Sequence, residues 1–192
     1  MKRQTDQSDL NLHDALVNKG WWLLKKYALL NTHHSAKIGW LKKWRLKRAI
    51  QIYVKALKIV PDSIAAKWAL GKIYQALDDH NASLSWFEEA LALEENNAAI
   101  CREASLAAMS CGCFPKALVL CDKAIELEPE DAGLYCNRAI ALMFLKRDAE
   151  AIESVAFSLK LCPNDQITLH VRNVLHSVVD GVRSRPQSME QI

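Results

Sequence analysis

The sequence predicts an all-α protein, an array of helix–turn–helix repeats closed by a C-terminal capping helix. Three observations carry this. Small and large apolar residues recur in one 34-residue register: Ala49, Ser83, Ala117 and Ala151 form one column, Tyr53, Phe87, Cys121 and Val155 a second, and Ala56, Ala90, Ala124 and Ser158 a third. A further column, Pro61, Glu95, Pro129 and Pro163, closes each unit. Self-similarity at a fixed period of this length is the signature of a helical repeat array. Finally, the chain is 51% hydrophobic and 24% charged, with only 6 Gly and 5 Pro, the prolines falling mainly between segments. That composition excludes disorder for most of the chain and leaves few helix breakers.

Taken in order, residues 1–29 form an N-terminal tail and an apolar, basic helical segment. Ser8-Asp9 supplies a cap for a helix from Leu10 to Asn18, with Gly20 as its stop. Trp21 to Leu30 is a second helix, apolar on more than one face, and such a helix must be covered. Residues 10–30 are therefore expected to dock on the protein itself or on a second copy, which makes self-association one expectation. The array occupies 30–181. Its first unit, 30–63, places a first helix over Ala36–Lys43 and a second over Lys47–Ile59. Units 64–97, 98–131 and 132–165 follow, with internal turns at Asp78-Asp79, Gly112 and Lys146-Arg147. In each unit an alanine at the helix crossing lets two backbones approach while the large residue fills the adjacent gap. Proline then ends the second helix because it cannot continue it. Residues 166–180 read as one amphipathic capping helix stopped by Gly181, of the kind a repeat array needs over its last open face. Residues 182–192 read as a flexible tail.

Leu70-Gly71, Tyr74, Phe87 and Ala90, with proline ending matching units, resemble the tetratricopeptide repeat family over about residues 30–165. The resemblance implies a right-handed superhelix whose first helices line a concave groove for peptides or helices, and it implies no catalysis. By that analogy the groove carries Trp68 and Lys72 in one unit, Arg102, Leu106 and Met109 in the next, and Asn137, Ile140, Met143 and Phe144 in the last. The family's best-known subclass clamps a chaperone's C-terminal carboxylate with Lys, Asn and Arg at set places. Here those places hold Trp68, Lys72, Glu103, Gly133 and Asn137 in one frame, and His34, Ile38, Ala69, Ala99 and Glu103 in the other. Neither frame makes the clamp, and Glu103 would repel a carboxylate. The expected partner is instead an apolar or amphipathic segment of another protein, held by an adaptor, scaffold or chaperone-like module. Individual groove residues, Ile140, Met143 and Phe144 above all, have ordinary inter-repeat core as the competing reading.

No residues point to catalysis, a cofactor or a metal. The six cysteines show no CxxC pair or Cys–His spacing, and read as structural thiols of a reducing compartment. There is no phosphate-binding Gly loop, nucleophile elbow or paired-carboxylate constellation. The start lacks the apolar core of a secretory signal, and no uninterrupted apolar run approaches bilayer length, so a cytoplasmic location is expected.

Charge is distributed unevenly. From Ala15 to Pro61 there are eleven Lys/Arg and no Asp or Glu, whereas Asp62 to Ile192 holds twelve basic and nineteen acidic residues. The patch Lys37, Lys42, Lys43, Arg45, Lys47 and Arg48 is interleaved with Trp40 and Trp44. Such a pattern suits nucleic acid or an anionic membrane surface. The favoured alternative packs Trp40 inside, in the column of Tyr74, and leaves a solvated basic face.

Overall fold

Four helix starts set the architecture. Ser63, Asn97, Asp131 and Asp165 stand 34 residues apart. Each side chain accepts a backbone N–H two or three residues on: Ala66 at 3.3 Å, Ile100 at 3.1 Å, Gly133 at 2.8 Å and Thr168 at 2.8 Å. An accepting side chain at this place satisfies a donor that the helix leaves orphaned. The computed structural model describes residues 6–25 and 39–192, and they divide into two units, Met1–Glu95 and Asn96–Ile192. Among the described residues all regular structure is helical.

The N-terminal unit comprises α1 (Gln7–Lys25), α2 (Trp40–Ile59), α3 (Ile64–Ala76) and α4 (His80–Leu91), with α1 packed on α2 and α3 on α4. The C-terminal unit comprises α5 (Ala98–Ser110), α6 (Phe114–Leu127), α7 (Ala132–Phe144), α8 (Asp148–Leu161) and α9 (Gln166–Val179). There α5 pairs with α6 and α7 with α8, while α9 lies against α7 and α8. The pairs α3/α4, α5/α6 and α7/α8 turn through Asp78, Gly112 and Lys146, at φ of 61°, 72° and 61°. The next N–H in each case reaches back five residues, to Tyr74 O, Ala108 O and Leu142 O, at 2.8–3.0 Å. This left-handed closure satisfies carbonyls at the end of the first helix and reverses the chain within three residues.

Each crossing is built from a small residue under a larger one. A Cβ on Gly71 would lie 2.6 Å from Phe87 Cε1, so only glycine lets α3 approach α4 as it does. Ser105 and Cys121 occupy the equivalent places in α5/α6, in side-chain hydrogen-bond contact, and buried Ala139 and Val155 occupy them in α7/α8. Ser83 Oγ also donates to Gly71 O at 3.0 Å, tying the crossing to the backbone.

The first pair departs from the sequence-based expectation. Helix α1 is continuous through Gly20, which is buried rather than a stop: a Cβ there would lie 2.5 Å from Tyr53 Cζ. Gly20 thus meets Tyr53 as Gly71 meets Phe87, and α1 is the helix that pairs with α2. The antiparallel arrangement is fixed at its far end by His13 Nε2, 2.8 Å from Ser63 Oγ. Leu24 enters a core with Leu46, Ala49, Tyr53, Ala56, Ala66, Leu70 and Ile73. The break expected between Lys43 and Lys47 is absent, because nothing in WLKKWRLKRA interrupts a helix and α2 runs unbroken from Trp40. The expected helix starts at Trp21 and Ala36 fall, respectively, inside α1 and outside the described residues.

The closing stretch 182–192 is likewise not a loose tail. Arg185 forks onto Asp148 with two 2.7 Å hydrogen bonds and donates to Met143 O at the end of α7, at 2.5 Å. Pro186 is buried, and a 3-10 turn, Met189–Gln191, brings Ile192 O to His170. The Arg185 hydrogen bonds hold the Asp148 carboxyl below its ordinary range.

Two predictions follow from these contacts. Gly71→Ala should cost about 2–3 kcal/mol in urea unfolding, because a buried ring must move. Adding Phe87→Val should recover part of that loss, as the Ala139/Val155 pair shows room for both. Asp148→Asn should cost about 1–2 kcal/mol at neutral pH. A carboxyl depressed in the folded state lends stability that fades as acid protonates it, so the gap between wild type and variant should close as pH falls below about 4. Thermal melts across that window check the sign.

Candidate functional site

Within the N-terminal unit, Trp68 is half-buried on α3 and meets Trp21 of α1, ring centroids 6.1 Å apart and planes at 42°. Trp21 follows Gly20 as Lys72 follows Gly71, so the two residues hold corresponding places. Lys72, expected in the groove, is almost wholly enclosed. Sequence reasoning missed Trp21 because it placed the first helix of the first repeat at 36–43. The overlooked signal was the helical spacing of Leu16, Gly20, Leu23 and Leu24, which runs through the glycine without a break.

In the C-terminal unit an open cleft of about 370 Å³ is lined by Arg102 of α5, Asp131, Cys136 and Asn137 around the start of α7, and Cys162 and Asp165 before α9. The capping geometry described above puts both aspartates at this rim. Arg102 is already matched: one guanidinium nitrogen binds Asp131 and lies 3.1 Å from Glu128 Oε2. Asp165 accepts from Thr168 Oγ1 at 2.6 Å and Thr168 N at 2.8 Å, and the Thr168 contacts push its pKa down, so it stays ionised. One cation against Asp131 and Asp165 leaves the lining net acidic, and Glu128 stands beside Arg102. Ile167 adds an apolar rim, 48% exposed.

Of the nine groove candidates, Arg102 and Asn137 share this cleft, and Leu106 is half-buried on α5. Four are corrected by burial: Lys72, Met109, Ile140 and Met143 are all buried, the last three within the apolar core. Phe144 stacks face to face on Phe114, centroids 4.0 Å apart, and so packs the α5/α6 turn region to α7.

The basic patch lies on α2, apart from Lys37, which is outside the described residues. Lys43, Lys47 and Arg48 are exposed, Lys42 and Arg45 half-buried. Trp40 does not pack inside. It is 78% exposed, because it opens α2 on the side opposite Leu46, Ala49 and Tyr53. The cysteines are all free thiols; burial raises Cys101 and Cys136 and pushes Cys121 up to about 12, which keeps all three protonated at neutral pH. Among the described residues no cluster of His, Cys, Asp and Glu is placed to hold a metal ion, and no helix is long and apolar enough to cross a membrane.

Tetratricopeptide repeat models match residues 64–97 and 120–153. Both stretches are tetratricopeptide repeats. The first match covers α3 and α4; the second begins within α6 and ends within α8, reading the same repeat from its second helix. No curated protein sequence matches the chain. Among solved structures, it is similar to MamA (41-end) from Desulfovibrio magneticus RS-1, with TM-score 0.76, 12% identity, and 92% of this chain and 88% of that one covered. It is similar to PilF of Pseudomonas aeruginosa, with TM-score 0.68, 20% identity, and coverage of 92% and 72%. It is also similar to the first tetratricopeptide domain of Spaghetti (RPAP3) bound to the HSP90 peptide SRMEEVD, with TM-score 0.58, 16% identity, and coverage of 61% and 93%. At these identities the likeness is one of fold.

The repeat frame separates core from surface sharply enough to test. Met143→Asp should abolish cooperative unfolding or cost more than about 4 kcal/mol, since it buries a charge without a partner. Asn137→Ala, on the open cleft, should change stability by less than about 1 kcal/mol. Circular dichroism melts of the two variants distinguish the assignments.

Proposed function

We propose that this tetratricopeptide protein is a protein-interaction module whose C-terminal unit holds a neutral or basic, partly apolar segment of a partner in the cleft between α5, α7 and α9. The observation that carries this reading is the matched Arg102. Its positive charge is spent on Glu128 and Asp131, with Asp165 ionised nearby, so an incoming carboxylate meets repulsion and an incoming Lys or Arg meets attraction. Asn137 offers an amide that both donates and accepts, suited to the main chain of an extended segment, and Ile167 offers apolar surface. The domain of Spaghetti (RPAP3) binds the acidic peptide SRMEEVD. The charge balance here supports a different ligand class on the same fold. The Trp21–Trp68 pair is a second aromatic surface, suited to an apolar side chain of a partner. An adaptor, scaffold or chaperone-like holding role in the cytoplasm fits such surfaces.

Fluorescence anisotropy with labelled peptides tests this. Peptides mixing Lys/Arg with Leu or Met should bind at least about tenfold more tightly than SRMEEVD. Asn137→Ala should weaken that binding without lowering the melting temperature, and Glu128→Gln should narrow the preference. Tight binding of SRMEEVD, insensitive to either change, would refute the reading.

A further inference from the structure

The outward face of α2 is a second surface, and it uses none of the cleft's residues. On the side of the helix away from Leu46, Ala49, Tyr53 and Ala56 stand Trp40, Leu41 and Trp44, respectively 78%, 47% and 50% exposed. Along the same exposed side run Lys43, Lys47, Arg48, Lys55 and Lys58. The helix contains no Asp or Glu, and none occurs between Ala15 and Pro61. Solvated helices normally intersperse the two signs. A single-sign face with two bare indoles at one end is the arrangement expected of a surface that meets an anion-rich, partly apolar partner.

We propose that this face of α2 rests on an anionic lipid bilayer, Trp40, Leu41 and Trp44 seated at the headgroup boundary and the Lys/Arg row lying over the lipid phosphates. Tryptophan favours that boundary because its ring is apolar and its N–H polar. Leu41 gains from acyl chains and gains nothing from stacked bases. The Arg48 guanidinium already lies 5.1 Å over the Trp44 ring, covering a face that a nucleobase would need, while leaving the ring edge free for lipid. No described helix is long and apolar enough to cross a bilayer, so the proposed attachment of this face is peripheral. Because the opposite side of α2 is locked into the core by Tyr53 and its neighbours, the face is presented preformed, and binding carries no cost of folding a helix.

The test is co-sedimentation of the full chain with phosphatidylcholine vesicles, with and without phosphatidylglycerol, at low and high salt. Binding should require phosphatidylglycerol, fall with salt, and shift tryptophan emission to the blue. Lys47→Glu/Arg48→Glu should weaken partitioning by about a hundredfold or more, given roughly fivefold per charge near an anionic surface. Trp40→Ala/Trp44→Ala should weaken it by about tenfold and abolish the blue shift. All four residues are exposed, so melting temperatures of both variants should match wild type, and the peptide binding of the cleft should be unchanged. Absence of binding to phosphatidylglycerol vesicles at low salt overturns the proposal. So does binding that ignores both variants, or binding of single- or double-stranded nucleic acid in the absence of vesicle binding.

Discussion

The approach of two helices within each repeat governs everything else in this fold. Backbones come close only where the residue beneath the opposing side chain is small enough, and the chain solves that condition four times with different pairs. Gly20 lies under Tyr53 and Gly71 under Phe87, each with no room for a Cβ. Where the large member shrinks to Cys121 or Val155, the small member grows to Ser105 or Ala139. A larger small member accompanies a smaller large member, so each crossing stays filled. Interiors packed to crystal-like density demand that. Tyr53 shows that fit outranks polar satisfaction, since its hydroxyl is buried without a hydrogen-bond partner among the described residues.

Once the crossings are fixed, the turns and caps have little freedom. The second helix must start three residues after the first ends, so the chain passes through a left-handed residue, even where that residue is Lys146. The next first helix must start at a set height, so a side-chain cap falls there every 34 residues. In the last two cases the cap is an aspartate, and it serves a second purpose. Asp131 caps α7 and also matches Arg102; Asp165 caps α9 and also lines the same cleft. The acidity of the cleft is thus tied to the helix starts, and cannot be altered there without loosening a helix.

This explains which parts of the molecule were legible in the sequence. The second-helix columns, the caps and the left-handed turns repeat because each copy obeys the same crossing, and a fixed period finds them. The first repeat hid its first helix because Gly20 stands 33 residues before Tyr53, whereas Gly71 stands 16 before Phe87. A search at constant spacing slides past a pair separated by an insertion. A glycine that permits close approach also looks, in sequence, like a glycine that stops a helix. Met109 and Met143 were misplaced for a different reason. On a helix covered from two sides, one residue's rotation separates groove from core, and apolar content is the same in both. The Arg185–Asp148 fork spans 37 residues outside the repeat register, so no period could report it.

The charge split acquires a physical meaning at the level of single helices. In the C-terminal unit, acidic residues are consumed by capping, by Arg102 and by the Arg185 fork. What is left over is a lining that prefers cations. In α2 the situation is reversed, because the helix carries no carboxylate of its own. Its buried side meets α1 through apolar residues, Leu24, Leu46 and Tyr53 among them, while Lys43, Lys47, Arg48, Lys55 and Lys58 stand exposed. A face all of one sign repels itself along its length, and an external sheet of negative charge relieves that repulsion most. The two surfaces therefore carry opposite charge, the cleft lining net acidic and the outward face of α2 basic. That opposition follows from where the chain places its carboxylates: at the helix starts beside the cleft, and nowhere on α2.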